Sequence, residues 1–296
     1  VLALAAWSSQ PREVPTLAAL VRATRPLAHA NIAPPILFGQ ALALATTGHF
    51  SWTALAVAQA FGIVDHLVIV FTNDYADRDA DALNDRPTPF SGGSRVLPEK
   101  LIEPRIIRAF AMACAVLLVA ISVASSVPSL PWLAFTALAL IAAYSLPPLR
   151  LSYRGGGELL QGLGVGVVLP LVGIASQRGS IAGSLPLLVP TFVLGVAGNV
   201  LTSIPDANAD RLANKRSPAA RWGDARARLA SIALHAAGLV LGTLLLPLPI
   251  ERTLPILVLG LALLAVSTRV ATLAFVVLGG AVESLALLGW SLALVL

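Results

Sequence analysis

The sequence predicts an all-α, polytopic membrane protein with about nine spanning helices and a cytoplasmic polar cap. Three observations carry this. The 296 residues are 57% hydrophobic and only 12% charged, against about 25% charged in a typical soluble domain. Mean hydropathy is +0.83. The apolar residues also fall into separate runs, each near the length a helix needs to cross a bilayer.

In chain order the runs are 28–47, 52–72, 106–127, 131–148, 158–177, 184–204, 227–247, 253–268 and 272–296. Helices are the spanning structure they suit, because lipid offers an open backbone no hydrogen-bond partner. Each run is also longer than the roughly 9–11 residues of a spanning β-strand. The first run holds "NIAPPILFG" and the fifth "GLGVGVVLPLVG". Membrane helices tolerate such Gly and Pro, and the small residues allow close packing. The last two runs meet at a soft boundary near "STRVAT". The opening "VLALAAWSSQ" lacks the length and basic lead of a signal peptide. Residues 1–17 are expected to form a peripheral or poorly ordered segment. The single cysteine, Cys114, excludes an internal disulfide framework. The four histidines are scattered without metal-ligand spacing and read as structural.

Charge placement sets the orientation. With the N-terminus inside, 18 of the 20 Lys and Arg residues fall on the cytoplasmic side. Only Arg178 and Arg252 lie outside. The positive-inside rule thus supports nine spans with the N-terminus cytoplasmic and the C-terminus outside. The setting expected is a bacterial or archaeal plasma membrane.

The polar chemistry concentrates in two places. "NDYADRDADALND" follows the second run and "SIPDANADRLANKRS" ends the sixth. If the second helix continues, Asp74, Asp77, Asp81 and Asp85 fall within about 80° of arc on one face. Asp79 points away, towards solvent. Asp206 and Asp210, four apart, share a face in the same way. Two unit charges about 4 Å apart repel by roughly 1 kcal/mol in water and about 4 at an effective dielectric of 20. A helix C-terminus adds to that repulsion, so something positive must compensate. One acidic loop is as well explained by solvated salt bridges. Two clusters at equivalent positions favour hard divalent cations, since Mg²⁺ typically takes one or two carboxylates plus substrate phosphates. Nearby Arg and Lys then suit phosphate oxygens.

The pattern N-D-x-x-D-x-x-x-D from Asn73 to Asp81, with D-x-x-x-D from Asp206 to Asp210, resembles the UbiA superfamily of intramembrane prenyltransferases. "RATRPLAHANIAPPILFGQALA" looks like that family's first helix, and "YSLPPLRLSYRGGGELLQGLGVG" like its entry to the fifth. "PFSGGSRVLPEKLI" and "IPDANADRLANKRSPAARWG" look most like the 1,4-dihydroxy-2-naphthoate prenyltransferase branch of menaquinone synthesis. The resemblance covers roughly residues 18–296 and implies a single membrane domain around a central cavity. Three departures bear on the acceptor more than on the diphosphate. Asn214 stands where the branch usually has Gly, and Thr202 and Ser203 where it often has Asn or Glu. Ile69 stands where it commonly has Asn.

The resemblance implies Mg²⁺-dependent transfer of a prenyl group from an allylic prenyl diphosphate to a small aromatic acceptor. Metal would be held by Asn73, Asp74, Asp77, Asp81, Asp206 and Asp210. Diphosphate would be held by Arg25, Arg95, Arg150 and Lys215, with Arg154 and Arg216 as further candidates. Ionisation leaves an allylic cation that an electron-rich carbon attacks, in a pocket that excludes water. The isoprenoid tail accounts for a site in a bilayer.

Asp65 lies inside the second run, about two and a half turns deeper than Asp74. An intramembrane ionisable residue is a functional candidate by default, with a structural ion partner as the competing reading. Asn31 faces the same choice between pocket lining and an interhelical hydrogen bond. Tyr144 and Tyr153 suit either cation stabilisation through a ring face or interfacial anchoring. Glu283 and Asn199 receive no role. Within the same fold the acceptor alternatives are homogentisate, 4-hydroxybenzoate, a tetrapyrrole, a sugar phosphate or a glycerol phosphate. A secondary transporter is the alternative from another class, disfavoured because its sites lie at the midplane. A non-catalytic lipid-binding scaffold would not need two metal-type clusters. Neither a nucleic-acid partner nor an obligate protein partner is expected.

Overall fold

The computed structural model describes residues 15–296, whose regular secondary structure is helical apart from one isolated bridge between Thr88 and Ser91. The opening "VLALAAWSSQ" lies outside the described residues. Helix α1 (Leu17–Ala23) leads through a 3₁₀ turn (Pro26–Asn31) into α2 (Ala33–Thr47). Helix α3 (Trp52–Ala82) is the longest, at 31 residues. Its start is fixed by Ser51, whose hydroxyl accepts from the Ala54 N–H at 3.2 Å. Helix α4 (Pro104–Ala124) starts with proline at a position where the missing N–H costs nothing. Then come α5 (Leu130–Ser145) and the short α6 (Leu151–Arg154).

Helix α7 (Gly157–Leu163) continues through a π-helical segment (Gly164–Val168) into α8 (Leu169–Arg178). Such wide turns inside helices are frequent at functional sites. A 3₁₀ turn (Leu185–Leu188) opens α9 (Val189–Thr202). Two short helices, α10 (Ala207–Leu212) and α11 (Pro218–Trp222), precede α12 (Asp224–Leu245), α13 (Ile250–Ser267) and α14 (Thr272–Val295). The soft boundary near "STRVAT" therefore falls between Ser267 and Thr272.

Seven helices among the described residues are long and apolar enough to cross a membrane, and the pair Leu17–Asn31 and Ala33–Thr47, meeting at 40°, makes eight. The expected ninth is α5, which has 16 residues and so spans about 24 Å, less than the ~30 Å hydrocarbon core. Its run was read through Pro148, but Pro147 disfavours helix at the residue before it, and α5 stops at Ser145. The second run also extends further than its apolar residues. Helix α3 carries Asp74, Asp77 and Asp81 on one continuous helix, as the spacing predicted, and ends at Ala82.

One core cluster joins α2, α3, α8, α9 and α14 through Phe38, Phe61, Ile174, Leu194 and Trp290. Large apolar side chains also stay exposed on outer helices, such as Met112 and Val116 on α4 and Leu254 and Val258 on α13. An apolar exterior of that extent suits a lipid surface. Helices α2 and α8 cross at two glycines. A Cβ at Gly39 would collide with the Pro170 carbonyl, and one at Gly173 with the Ile36 carbonyl. Close backbone approach of this kind is how membrane helices gain packing without a hydrophobic drive.

Gly39→Ala is expected to lower the melting temperature of the detergent-solubilised protein, at a cost of about 1–3 kcal/mol for overpacking. Gly280→Ala, whose added Cβ meets nothing within 4 Å, is the control and should melt with the wild type.

Candidate active site

The two aspartate clusters meet. A cavity of about 500 Å³ is lined by Asp74, Asp77 and Asp81 from α3, by Asp206 at the start of α10 and by Asp210 within it. Asn84, just past the end of α3, donates to Asp206 Oδ1 at 2.8 Å. Lys215 reaches across from the other half of the chain. Its Nζ lies 2.9 Å from Asp77 Oδ2 and 3.7 Å from Asp210 Oδ1. Arg25, on the loop after α1, stands 3.8 Å from Asp74 Oδ1. The Ser94 N–H donates to the same Asp74 oxygen at 3.2 Å.

These contacts leave negative charge in excess. Burial, followed by the neighbouring Asp210, pushes the Asp206 carboxyl up to about 7. Burial also raises Asp210, against the opposing pull of Lys215. Burial alone would lower the Lys215 ammonium, but Asp77 and Asp210 hold it well above its usual value. Asp74 Oδ2 and Asp77 Oδ1 are buried without a hydrogen-bond partner. Orphaned carboxylate oxygens in such a place are costly, and a hard cation is the natural partner for them. Among the described residues, no three acidic or metal-ligating side chains converge on one point. An ion here would therefore take one or two carboxylates and complete its shell with phosphate and water oxygens, which is the habit of Mg²⁺.

Of the remaining predicted residues, some line the cavity and others do not. Asn73 does, with its amide oxygen accepting from the Ser145 hydroxyl at 2.6 Å. Asn31, Asp65 and Tyr144 also line it. Asp79 is 88% exposed, as its place on the helix predicted. Asp85 is exposed and off the cavity, because α3 ends three residues earlier and the helical offset no longer applies.

The basic candidates divide more sharply. Arg25 and Lys215 line the cavity, whereas Arg95, Arg150, Arg154 and Arg216 do not. The Arg95 guanidinium donates to the Asp81 and Asn84 carbonyls and so caps the end of α3. Arg150 donates to the Ala76 carbonyl at 2.7 Å and lies 3.5 Å over the Tyr153 ring. Tyr153 thus packs under Arg150 rather than in the cavity wall. Arg154 and Arg216 are exposed. Asn214 has φ +56°, the left-handed backbone that Asn adopts most readily in place of Gly.

Sequence reading missed three groups. Asn84 belongs to the site, and its only signal was a polar residue beyond an acidic helix. Asn199 of α9 donates to Gln161 Oε1 at 2.8 Å and to the Tyr144 hydroxyl at 3.2 Å. Glu283 of α14 also lines the cavity. The last two were intramembrane polar residues, a signal that was visible but unassigned.

The positions separate two kinds of arginine. Arg95→Ala and Arg150→Ala are expected to lower the melting temperature while leaving affinity for a diphosphate ligand within about threefold. Arg25→Ala should weaken that affinity by about tenfold or more, the loss of one charge-assisted contact of about 1.5–3 kcal/mol. Thermal melts and titration with inorganic diphosphate and Mg²⁺ measure both.

Comparison with known proteins agrees with this architecture. The model of the UbiA prenyltransferase family matches residues 32–276. A lycopene elongase/hydratase of Corynebacterium glutamicum is 30% identical over 227 residues, covering 76% of this chain and 77% of that protein. A UbiA homologue from Archaeoglobus fulgidus, solved with GPP and Mg²⁺, superposes with a TM-score of 0.70 at 18% identity, covering 94% of this chain and 99% of that one. The apo structure of a UbiA homologue from Aeropyrum pernix K1 gives 0.64 at 22% identity, covering 88% and 96%. The chain described here, with two aspartate clusters facing one cavity inside a helical membrane fold, belongs to the UbiA prenyltransferase family.

Proposed function

We propose that this protein transfers a prenyl group from an allylic prenyl diphosphate to a carbon of an apolar acceptor, in a Mg²⁺-dependent reaction. The observation that carries the reading is the meeting of two aspartate clusters at a cavity that continues along apolar side chains. Asp74, Asp77, Asp81, Asp206 and Asp210 would between them hold Mg²⁺ ions, one or two carboxylates to each, with Asn73 fixing the cluster's geometry. The orphaned oxygens of Asp74 and Asp77 fit that assignment. Bound Mg²⁺ would supply neutralisation of the charge that develops on the departing diphosphate. Lys215 and Arg25 add fixed positive charge beside the same two aspartates. Leu140, Ile141, Val165 and Val168 line the cavity further along and offer the isoprenoid tail a dry wall. In this reading the aspartates face the cytoplasm, following the distribution of basic residues.

The acceptor we favour is a long isoprenoid polyene. The Corynebacterium relative is a lycopene elongase/hydratase, and its identity over three-quarters of the chain supports an acceptor of that class. An aromatic acceptor of quinone synthesis is the second reading, favoured by "PFSGGSRVLPEKLI" and "IPDANADRLANKRSPAARWG". The transporter reading loses its support, because the family is one of transferases.

Purified protein supplied with dimethylallyl or geranyl diphosphate is expected to release diphosphate with Mg²⁺ and to stop with EDTA. Lycopene, 1,4-dihydroxy-2-naphthoate, homogentisate and 4-hydroxybenzoate form the acceptor panel, and the coupled product identifies the class. Metal-independent release, or none with any pair, contradicts the reading. Asp77→Asn and Asp210→Asn should each reduce turnover by at least about a hundredfold, the loss expected when a group stabilising the transition state electrostatically is removed. Full activity in either contradicts the metal assignment.

A further inference from the structure

The wall contributed by α14 holds a polar couple that the diphosphate site does not use. Glu283 lines the cavity among Val276, Val277, Gly280 and Ala281. Its side chain passes over Gly198 of α9, where a Cβ would stand 2.5 Å from Glu283 Oε1. On its far side Oε1 lies 3.1 Å from His235 Nε2, and His235 is fully buried on α12. The other ring nitrogen is already committed. His235 Nδ1 stands 2.7 Å from the Ser231 carbonyl, which can only accept, and 3.3 Å from the Ser231 hydroxyl; the shorter contact assigns the proton to Nδ1. Nε2 therefore presents a lone pair to Glu283 unless a further proton lies between them.

A proton delivered to Glu283 can be shared with His235 Nε2 in a charge-assisted hydrogen bond. Glu283 has no lysine or arginine ion pair among the described residues, so no fixed cation quiets it. Three helices are shaped around the couple: α9 by a missing side chain, α12 by the histidine and α14 by the acid.

We infer that Glu283 is the catalytic proton acceptor of the transfer reaction and that His235 is its positioning residue. The inference rests on the prenyl-transfer reading above. In the first step the C–O bond of the prenyl diphosphate breaks and diphosphate leaves with the electron pair. A π pair of the acceptor then forms the new C–C bond to the allylic cation, which moves the positive charge onto the acceptor. An adjacent acceptor C–H bond breaks, its electrons restore the double bond, and its proton goes to the Glu283 carboxylate. An aromatic acceptor needs this last step to regain its aromaticity, and a polyene acceptor needs it wherever the product regains its double bond. Glu283 supplies the base on the α14 wall of the cavity, and the proton returns to solvent between turnovers.

The test measures released diphosphate and coupled product separately, using dimethylallyl diphosphate with lycopene and with 1,4-dihydroxy-2-naphthoate. In Glu283→Gln, diphosphate release should stay within about threefold of wild type, while coupled product per diphosphate falls by about a hundredfold, the usual size of a general-base contribution. Prenyl alcohol from water capture should make up the difference. His235→Asn should lower the same ratio, whereas a merely structural defect lowers both yields together and leaves the ratio unmoved. Where Glu283→Gln does not fold, Glu283→Asp is measured in its place and should lower the ratio by a smaller factor. An unchanged ratio in an active variant overturns the inference. A wild-type protein that releases no diphosphate overturns the transfer reading itself, so the two failures are distinguishable.

Discussion

Negative charge gathered in a cavity inside a lipid-embedded fold is the constraint on which the rest of this structure depends. Unpaired carboxylates in such a place are costly, yet α3 and α10 with its N-cap bring five to one cavity. The chain offsets part of that cost with its own groups. Lys215 stands between Asp77 and Asp210, Arg25 beside Asp74, and the Ser94 N–H and the Asn84 amide each satisfy one carboxylate oxygen. What remains uncompensated is specific: the buried free oxygens of Asp74 and Asp77. A site that stays short of positive charge after its own residues have answered is one arranged for cations from outside.

The surrounding architecture follows from holding those elements in register. Helix α3 must run past its apolar residues to deliver three aspartates, and its end is then fixed by the Arg95 guanidinium on its last carbonyls. Arg150 ties the α5–α6 loop to the same helix through Ala76, and its stacking on Tyr153 keeps that loop beside the cavity. Neither arginine lines the cavity. Both donate to backbone carbonyls towards or just past the C-terminal end of α3, so their contribution is to the stability of that helix end and its loop. The glycine crossing of α2 and α8 does comparable work deeper in the bundle, where there is no charge to direct packing.

The sequence made the fold class and the acidic half of the site legible, because both depend on local periodicity. Apolar run lengths located every long helix, and helical spacing placed Asp74, Asp77 and Asp81 on one face and Asp79 on the other. The limits of that logic are equally specific. Asp85 was grouped by an offset that holds only while the helix continues, and α3 stops at Ala82. The arginines were judged by charge, but a long flexible side chain can turn to a backbone carbonyl as readily as to a ligand, and nothing local says which. The fourth run gives a shorter helix than its length implies, because α5 stops at Ser145 ahead of the double proline at Pro147 and Pro148. The His235–Glu283 couple joins residues 48 apart, and only the packing of α12 on α14 reveals it.

The central claim is that the two aspartate clusters form one metal–diphosphate site, and binding measures it without turnover. Calorimetric titration with a non-ionising prenyl thiolodiphosphate should give tight binding to the wild-type protein only when Mg²⁺ is present. Asp74→Asn and Asp206→Asn, one from each cluster, should each weaken that binding by about tenfold or more, equivalent to roughly 1.4 kcal/mol. Binding that is indifferent to Mg²⁺, or to loss of either aspartate, would contradict a shared site.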